Sequence, residues 1–112
     1  MEKVIIQKLA EAEIAERQIR KWPIWEKEVS RFSHTYEGDE ECLFLEGEVV
    51  IESEEANYTI LPGDFVIFKD GLECIWDVKK PVKKHMVKKR LTGAFLNAIL
   101  LVETFPKMPD KT

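Results

Sequence analysis

Cysteine, glycine and proline are scarce in this chain, and no long apolar run is present. Two cysteines in 112 residues are too few for the disulfide framework of a small secreted scaffold, so they read as thiols. The longest apolar stretch, Ala94 to Val102, is broken by Asn97 and falls far short of the roughly 20 residues that span a bilayer. Met1-Glu2-Lys3-Val4 opens no apolar run leading to a small-residue cleavage site, so no secretory signal is read there and a cytoplasmic location is expected. Positive charge is not in excess either. The formal net charge is −4, which gives no general pull toward nucleic acid. Repeats, linkers and low-complexity segments are missing as well. What is left is a chain of one domain, residues 1–112, able to bury a modest core.

The pattern along that domain is mostly β. Val4-Ile5-Ile6 reads as a short strand. Lys8 to Arg20 is rich in Ala, Glu, Gln and Arg, with Leu9, Ile14 and Ile19 spread along it, and predicts a short helix or helical turn. Trp22-Pro23-Ile24-Trp25 cannot be helix interior, because Pro23 has no N–H and restricts the residue before it. It reads as an edge strand or an extended arm that lays two indoles on the core. Beyond Trp25, runs rich in Val, Ile, Phe and Tyr are separated by turn residues. They predict strands at Ser30–Tyr36, Cys42–Leu45, Glu48–Glu52, Tyr58–Leu61, Phe65–Phe68, Glu73–Val78 and Val82–Lys88. Turns are expected at Glu46-Gly47 and Lys79-Lys80-Pro81, among others. Many short strands without helical rhythm point to a sandwich or closed barrel.

Residues two apart on a strand share a face. His34 and Tyr36 therefore point the same way, and so do Glu40, Cys42 and Phe44 beyond the Gly38 turn. The spacing of His34, Tyr36, Glu40 and Gly47, followed by Gly63, Lys69, Gly71 and Cys74, resembles the two half-motifs of a cupin barrel. The resemblance implies an all-β, antiparallel jelly-roll (cupin) β-barrel with a short N-terminal helical segment and an extra C-terminal tail. Its recognisable core is about residues 22–88. Trp22-Pro23-Ile24-Trp25, Glu40-x-Cys42-x-x-Leu45-Glu46-Gly47, Gly63-Asp64-Phe65-Val66, Gly71-x-x-Cys74-x-Trp76 and Val82-x-Lys84-His85 narrow it further. That combination resembles small single-domain cupins of the (S)-ureidoglycine aminohydrolase cupin-domain family, and less closely the ethanolamine-utilisation Q-type cupins.

The resemblance places His34, Tyr36, Glu40, Cys42 and Cys74 at the barrel mouth with Trp76 below, and His85 nearby. It implies ligand-binding residues His34, Tyr36, Glu40, Cys74 and Trp76. A cupin normally holds its ion with three His and one Glu. Here Tyr36 and Cys74 stand at two of those positions, so no tightly held metal is expected. If an ion were present, His34, Glu40 and Cys74 would hold it, as a mixed set acceptable to zinc, manganese or iron. Two function classes stay open. One is a barrel that binds a small polar metabolite without a cofactor. The other is a metal-dependent enzyme of nitrogen (ureide-like) or carbohydrate metabolism, with Tyr36 as acid/base. A structural or dimerising module with an idle pocket is a third possibility.

Two segments lie outside the motifs. Lys79 to Arg90 gathers six lysines, Arg90 and His85, and reads as the solvated edge of a strand. The apolar Ala94 to Val102 segment must cover barrel surface in its own or a second chain. A homodimer is expected on that ground, with Phe95, Leu96, Ile99 and Leu100 at the covered face. The partners expected are thus a small-molecule ligand and a second copy, with no nucleic acid and no membrane.

Overall fold

The computed structural model describes residues 2–89. The tail residues Phe95, Leu96, Ile99 and Leu100, and the dimer expected from them, lie outside the described residues. The described residues form β1 (Val4–Gln7), α1 (Glu11–Glu16), β2 (Ile24–Lys27), β3 (Ser30–Thr35), β4 (Asp39–Ser53), β5 (Asn57–Ile60), β6 (Phe65–Phe68) and β7 (Glu73–Lys89). Their pairings are antiparallel throughout. The fold is the all-β jelly-roll barrel that the sequence pattern implies.

Two long strands organise it. The first part of β4 pairs with β6 through Glu40 to Leu43, and β6 pairs in turn with β1. The second part of β4 pairs with β5 through Val49 to Glu52. Strand β7 divides in the same way, taking β3 along Glu73 to Val78 and β2 along Val82 to His85. β4 and β7 also pair with each other along most of their length. Both strands therefore pass through both halves of the barrel.

The expected turns at Glu46-Gly47 and Lys79-Lys80-Pro81 are not turns. They are irregularities inside β4 and β7, where the register shifts between Phe44 and Val49. A bulge accounts for both sequence signals. Gly47 takes φ +100°, a backbone region that L-residues avoid. Pro81 lacks an N–H and is tolerated in a sheet where the ladder is interrupted. The bulge bends both strands so that one pair can serve two half-sheets.

The helix is shorter than the Lys8–Arg20 pattern. α1 spans Glu11–Glu16 and has no side-chain cap. Gln18 turns left-handed at φ 54°, and a 3-10 turn follows at Ile19–Lys21. Packing rather than propensity holds this segment. Ile14 and Ile19 bury against Leu43 and Phe65 on the outer face of the sheet, with Leu9, Trp22, Leu45 and Ile67 around them. Such burial is worth about 1.5–3 kcal/mol per side chain. Arg17 adds an ion pair to Glu41 at 3.1 Å and lies over the Phe65 ring. Trp22 and Trp25 both pack, but on opposite sides of the sheet. Trp22 joins this outer layer, whereas Trp25 enters the barrel.

The two motif loops clasp each other at one end of the barrel. Tyr36 N–H donates to the Leu72 carbonyl at 2.8 Å, and Gly71 N–H to the Tyr36 carbonyl at 2.9 Å. Gly38 N–H reaches the Asp70 carboxylate at 2.7 Å, while Asp70 N–H reaches Asp39 at 2.9 Å. The clasp fixes the strand ends that carry His34, Tyr36, Glu40 and Cys74. Among the described residues, no helix is long and apolar enough to cross a membrane.

Gly47 gives a direct test of the bulge. A Cβ there would lie 2.4 Å from the Pro81 carbonyl oxygen and 2.6 Å from Val82 Cα. Gly63 has a similar φ of +96°, but its nearest neighbour would be a lysine tip at 3.8 Å. Gly47→Ala should cost about 3 kcal/mol or more, from strain plus overpacking. Gly63→Ala should cost about 1–2 kcal/mol from strain alone. Urea denaturation of the two variants measures the difference, and equal costs would remove the bulge contact as its cause.

Candidate functional site

Inside the barrel, alternation along the strands brings the motif residues onto one face. His34 on β3 stands directly across from Cys74 on β7, and Cys74 is flanked on its other side by Ser53 of β4. One step deeper, Phe32, Trp76 and Ile51 form the next row. On the other half, Phe44 and Trp25 flank Lys84. Glu40, Tyr36, Cys42, Cys74 and Trp76 are all buried, and His34 is half-buried at the rim. The structure thus brings the five expected ligand-binding residues, His34, Tyr36, Glu40, Cys74 and Trp76, into one interior.

The centre of that interior is a residue to which the sequence pattern gave no role. The Lys84 ammonium donates to Glu40 Oε2 at 3.1 Å and to Cys42 Sγ at 3.3 Å. The Cys42 thiol lies 3.4 Å from the same Glu40 oxygen. Neither partner of the ion pair touches water to any extent, with side-chain exposures of 0% for Lys84 and 1% for Glu40. Four rings close around Nζ: Trp76 at 4.5 Å, Trp25 at 4.7 Å, Phe44 at 5.5 Å and Phe68 at 5.8 Å to their centroids. Desolvated contacts of this kind reach about 2 kcal/mol each. Burial alone pushes the Lys84 pKa down, but the Cys42 sulfur and the Glu40 carboxylate more than offset it, and the net direction is up. The ammonium stays charged.

The solvated-edge reading of Lys79 to Arg90 therefore fails at Lys84. Val82, Lys84 and Met86 share the inner face, and Lys84 is completely covered. That alternation was available in the sequence. It was obscured by the lysines on either side and by Val87 on the opposite face. His85 is also misplaced by the sequence reading. It lies on the outer face, where its Nδ1 is 2.9 Å from the Trp22 carbonyl, so it belongs to the seam under the N-terminal segment and not to the mouth.

Tyr36 is locked in place. Its hydroxyl accepts the Trp76 indole N–H at 3.1 Å, and its ring stacks on Phe68 with centroids 4.9 Å apart. Burial, then the charge of Glu40, hold its pKa well above the ordinary tyrosine value. Burial thus makes the phenol proton harder to remove than that of a free tyrosine. His34 meets the edge of Tyr36 at 4.3 Å. Burial pushes the His34 pKa down, against the pull of Glu40, so its imidazole is neutral near neutral pH. The proton is then bound more readily by the unfolded chain, and stability falls as pH drops below about 6.5. Burial also raises both thiols, Cys74 to about 12 and Cys42 well above the usual range. Cys42 behaves as the small buried residue expected.

The donor set does not suit a metal ion. Glu40 Oε2 is taken by the Lys84 ammonium, and an ion on the other oxygen would sit within a few ångströms of that positive charge with little to screen the repulsion. Among the described residues, no three His, Cys, Asp or Glu side chains converge as ion ligands. One polar atom in the interior is left over. Glu40 Oε1 is buried and has no hydrogen-bond partner, although an unsatisfied buried acceptor costs about 1–3 kcal/mol. A depression of about 590 Å³ lies where β3, β4 and β7 end, lined by His34, Cys74, Ser53, Asn57 and Glu73 among others; Glu40 is not part of its lining.

Comparison with known proteins places this geometry. The EutQ-like cupin domain matches residues 14–86. Among solved structures, a DUF861-family protein from Thermotoga maritima shares 44% identity over 76% of this chain and 98% of its own, with a TM-score of 0.74. A protein described as ethanolamine utilisation protein Q from Salmonella typhimurium is similar in fold at 18% identity. The match covers 76% of this chain and 68% of that one, with a TM-score of 0.52. A search of curated proteins gives no match.

The interior pair and the thiols can be tested separately. Lys84→Met leaves the Glu40 carboxylate buried without its cation and should cost about 3–5 kcal/mol. The double variant Lys84→Met/Glu40→Gln removes both charges and should be more stable than Lys84→Met alone, as read by urea denaturation. With its pKa raised to about 12, Cys74 should react with iodoacetamide at pH 8 at least tenfold more slowly than a free thiol. The rate should rise about tenfold per pH unit up to about pH 12, whereas that of a free thiol levels off above about pH 9. The folded state favours the protonated thiol, so this contribution to stability is intact below pH 9 and is lost as pH rises toward 12.

Proposed function

The chain belongs to the EutQ-like cupin family, and on that premise we propose that it binds a small polar metabolite at the mouth of its barrel without a tightly held metal. The observation that carries this reading is the leftover Glu40 oxygen. A buried carboxylate with one oxygen engaged and one free is a ready acceptor for a hydroxyl, amide or amine. His34 is half-buried at the rim and offers a neutral imidazole that can donate or accept in the lining of the depression. Cys74 supplies a protonated thiol in the lining of the depression, and the locked rings of Trp76 and Tyr36 stiffen the interior. An interior of locked rings and one oriented acceptor is preorganised for binding.

The metal-dependent alternative, an enzyme of ureide-like or carbohydrate metabolism, finds less support. It would need Glu40 to serve an ion a few ångströms from the Lys84 ammonium, and Tyr36 to move a proton that burial makes harder to remove. The likeness to ureidoglycine aminohydrolase cupins remains a likeness of sequence motifs.

Thermal-shift screening of the untagged protein with amides, ureas, amino alcohols and monosaccharides at millimolar concentration tests the proposal. At least one class should raise the unfolding midpoint. His34→Ala should weaken that compound about tenfold, equivalent to about 1.4 kcal/mol. Cys74→Ala should change affinity less. If no class shifts the midpoint, or His34→Ala binds as tightly as the parent, the mouth is not the binding site.

A further inference from the structure

Among the described residues, one lysine, Lys84, carries its charge deep in the barrel interior. We propose that Lys84 is the resident cation of the barrel, standing in for the divalent ion that a cupin interior would otherwise hold and excluding such an ion. This goes beyond the ligand reading and does not rest on it, since the charge arrangement stands whether or not a metabolite binds above.

Three independent features carry the inference. The first is contact: Nζ lies 3.1 Å from Glu40 Oε2 and 3.3 Å from Cys42 Sγ. Those are the anionic and sulfur donors nearest the centre, and a divalent ion would need the same carboxylate at about 2.0–2.2 Å. The ion would then sit within a few ångströms of an ammonium with no water between them to screen the repulsion. The second is the cage. Rings of Trp25, Trp76, Phe44 and Phe68 surround Nζ, and aromatic faces of this kind recognise alkylammonium groups. The third is position. Lys84 shares the row of Phe44 and Trp25, while Cys42 and Glu40 lie successively further along β4, on the same inner face. Its flexible stem runs along the barrel interior to place the charge at the level of the motif glutamate. The sequence thus keeps the glutamate of the cupin frame and supplies its counter-charge from a different strand.

The experiment compares the untagged full chain, Lys84→Ala and Lys84→Ala/Glu40→Gln. Each is stripped with chelator and then titrated with zinc or manganese alone, by calorimetry and by unfolding midpoint. The parent should bind neither ion stoichiometrically, and its midpoint should not move. Lys84→Ala should melt about 10 °C or more below the parent, and zinc should restore part of that loss. The double variant, lacking the carboxylate, should show no such restoration. If Lys84→Ala folds only with help, refolding yield in zinc against magnesium gives the same comparison. About one ion per parent chain would overturn the proposal. So would a Lys84→Ala variant that zinc leaves unchanged, since the space vacated by the ammonium would then not be a cation site.

Discussion

The Lys84–Glu40 pair is enclosed on every side, and the rest of the interior is arranged around that enclosure. A charge taken out of water is costly unless each of its hydrogen-bonding positions is met. Lys84 meets the condition with a carboxylate, a sulfur and the faces of four rings. Those rings must then be rigid. Trp76 is pinned by its hydrogen bond to Tyr36 and by Phe32, which stacks on it at 5.9 Å. Tyr36 is pinned by Phe68 and by backbone bonds to Leu72 and Gly71. The clasp of the motif loops, the ring stack and the ion pair are therefore parts of one constraint.

That constraint shapes what the mouth can offer. Ordinary acid–base chemistry is damped there, because burial keeps Tyr36 and both thiols protonated and His34 neutral. What persists is directional: one carboxylate oxygen facing no protein donor, a rim imidazole and a stiff aromatic interior.

Much of this was legible in the sequence. The glycine and acid spacing of the two motif segments placed His34, Tyr36, Glu40 and Cys74 in one interior, and period-two alternation gave the inner face of β4. Three things were hidden, each for a physical reason. Gly47 and Pro81 looked like separate turns because a bulge uses the same residues as a turn, so two long strands were read as four short ones. Lys84 looked solvated because its neighbours Lys83, Lys88 and Lys89 carry the same charge. Burial of a lysine is visible only once its counter-ion and rings are brought in from β2, β4, β6 and the other part of β7. His85 was drawn to the mouth by its residue type, while the register sent it to the outer seam.

The bent strands carry a consequence for how the molecule comes apart. β4 and β7 each run through both half-sheets, so neither half owns a complete set of strands. Detaching one half would strip the other of its central pairings. Opening is thereby forced toward a single all-or-none event, while among the described residues the N-terminal helical segment, packed on the outer face, can lift separately. Amide hydrogens on β3 and β6, in opposite half-sheets, should then exchange with deuterium at a common free energy set by global unfolding, as if the barrel were one foldon.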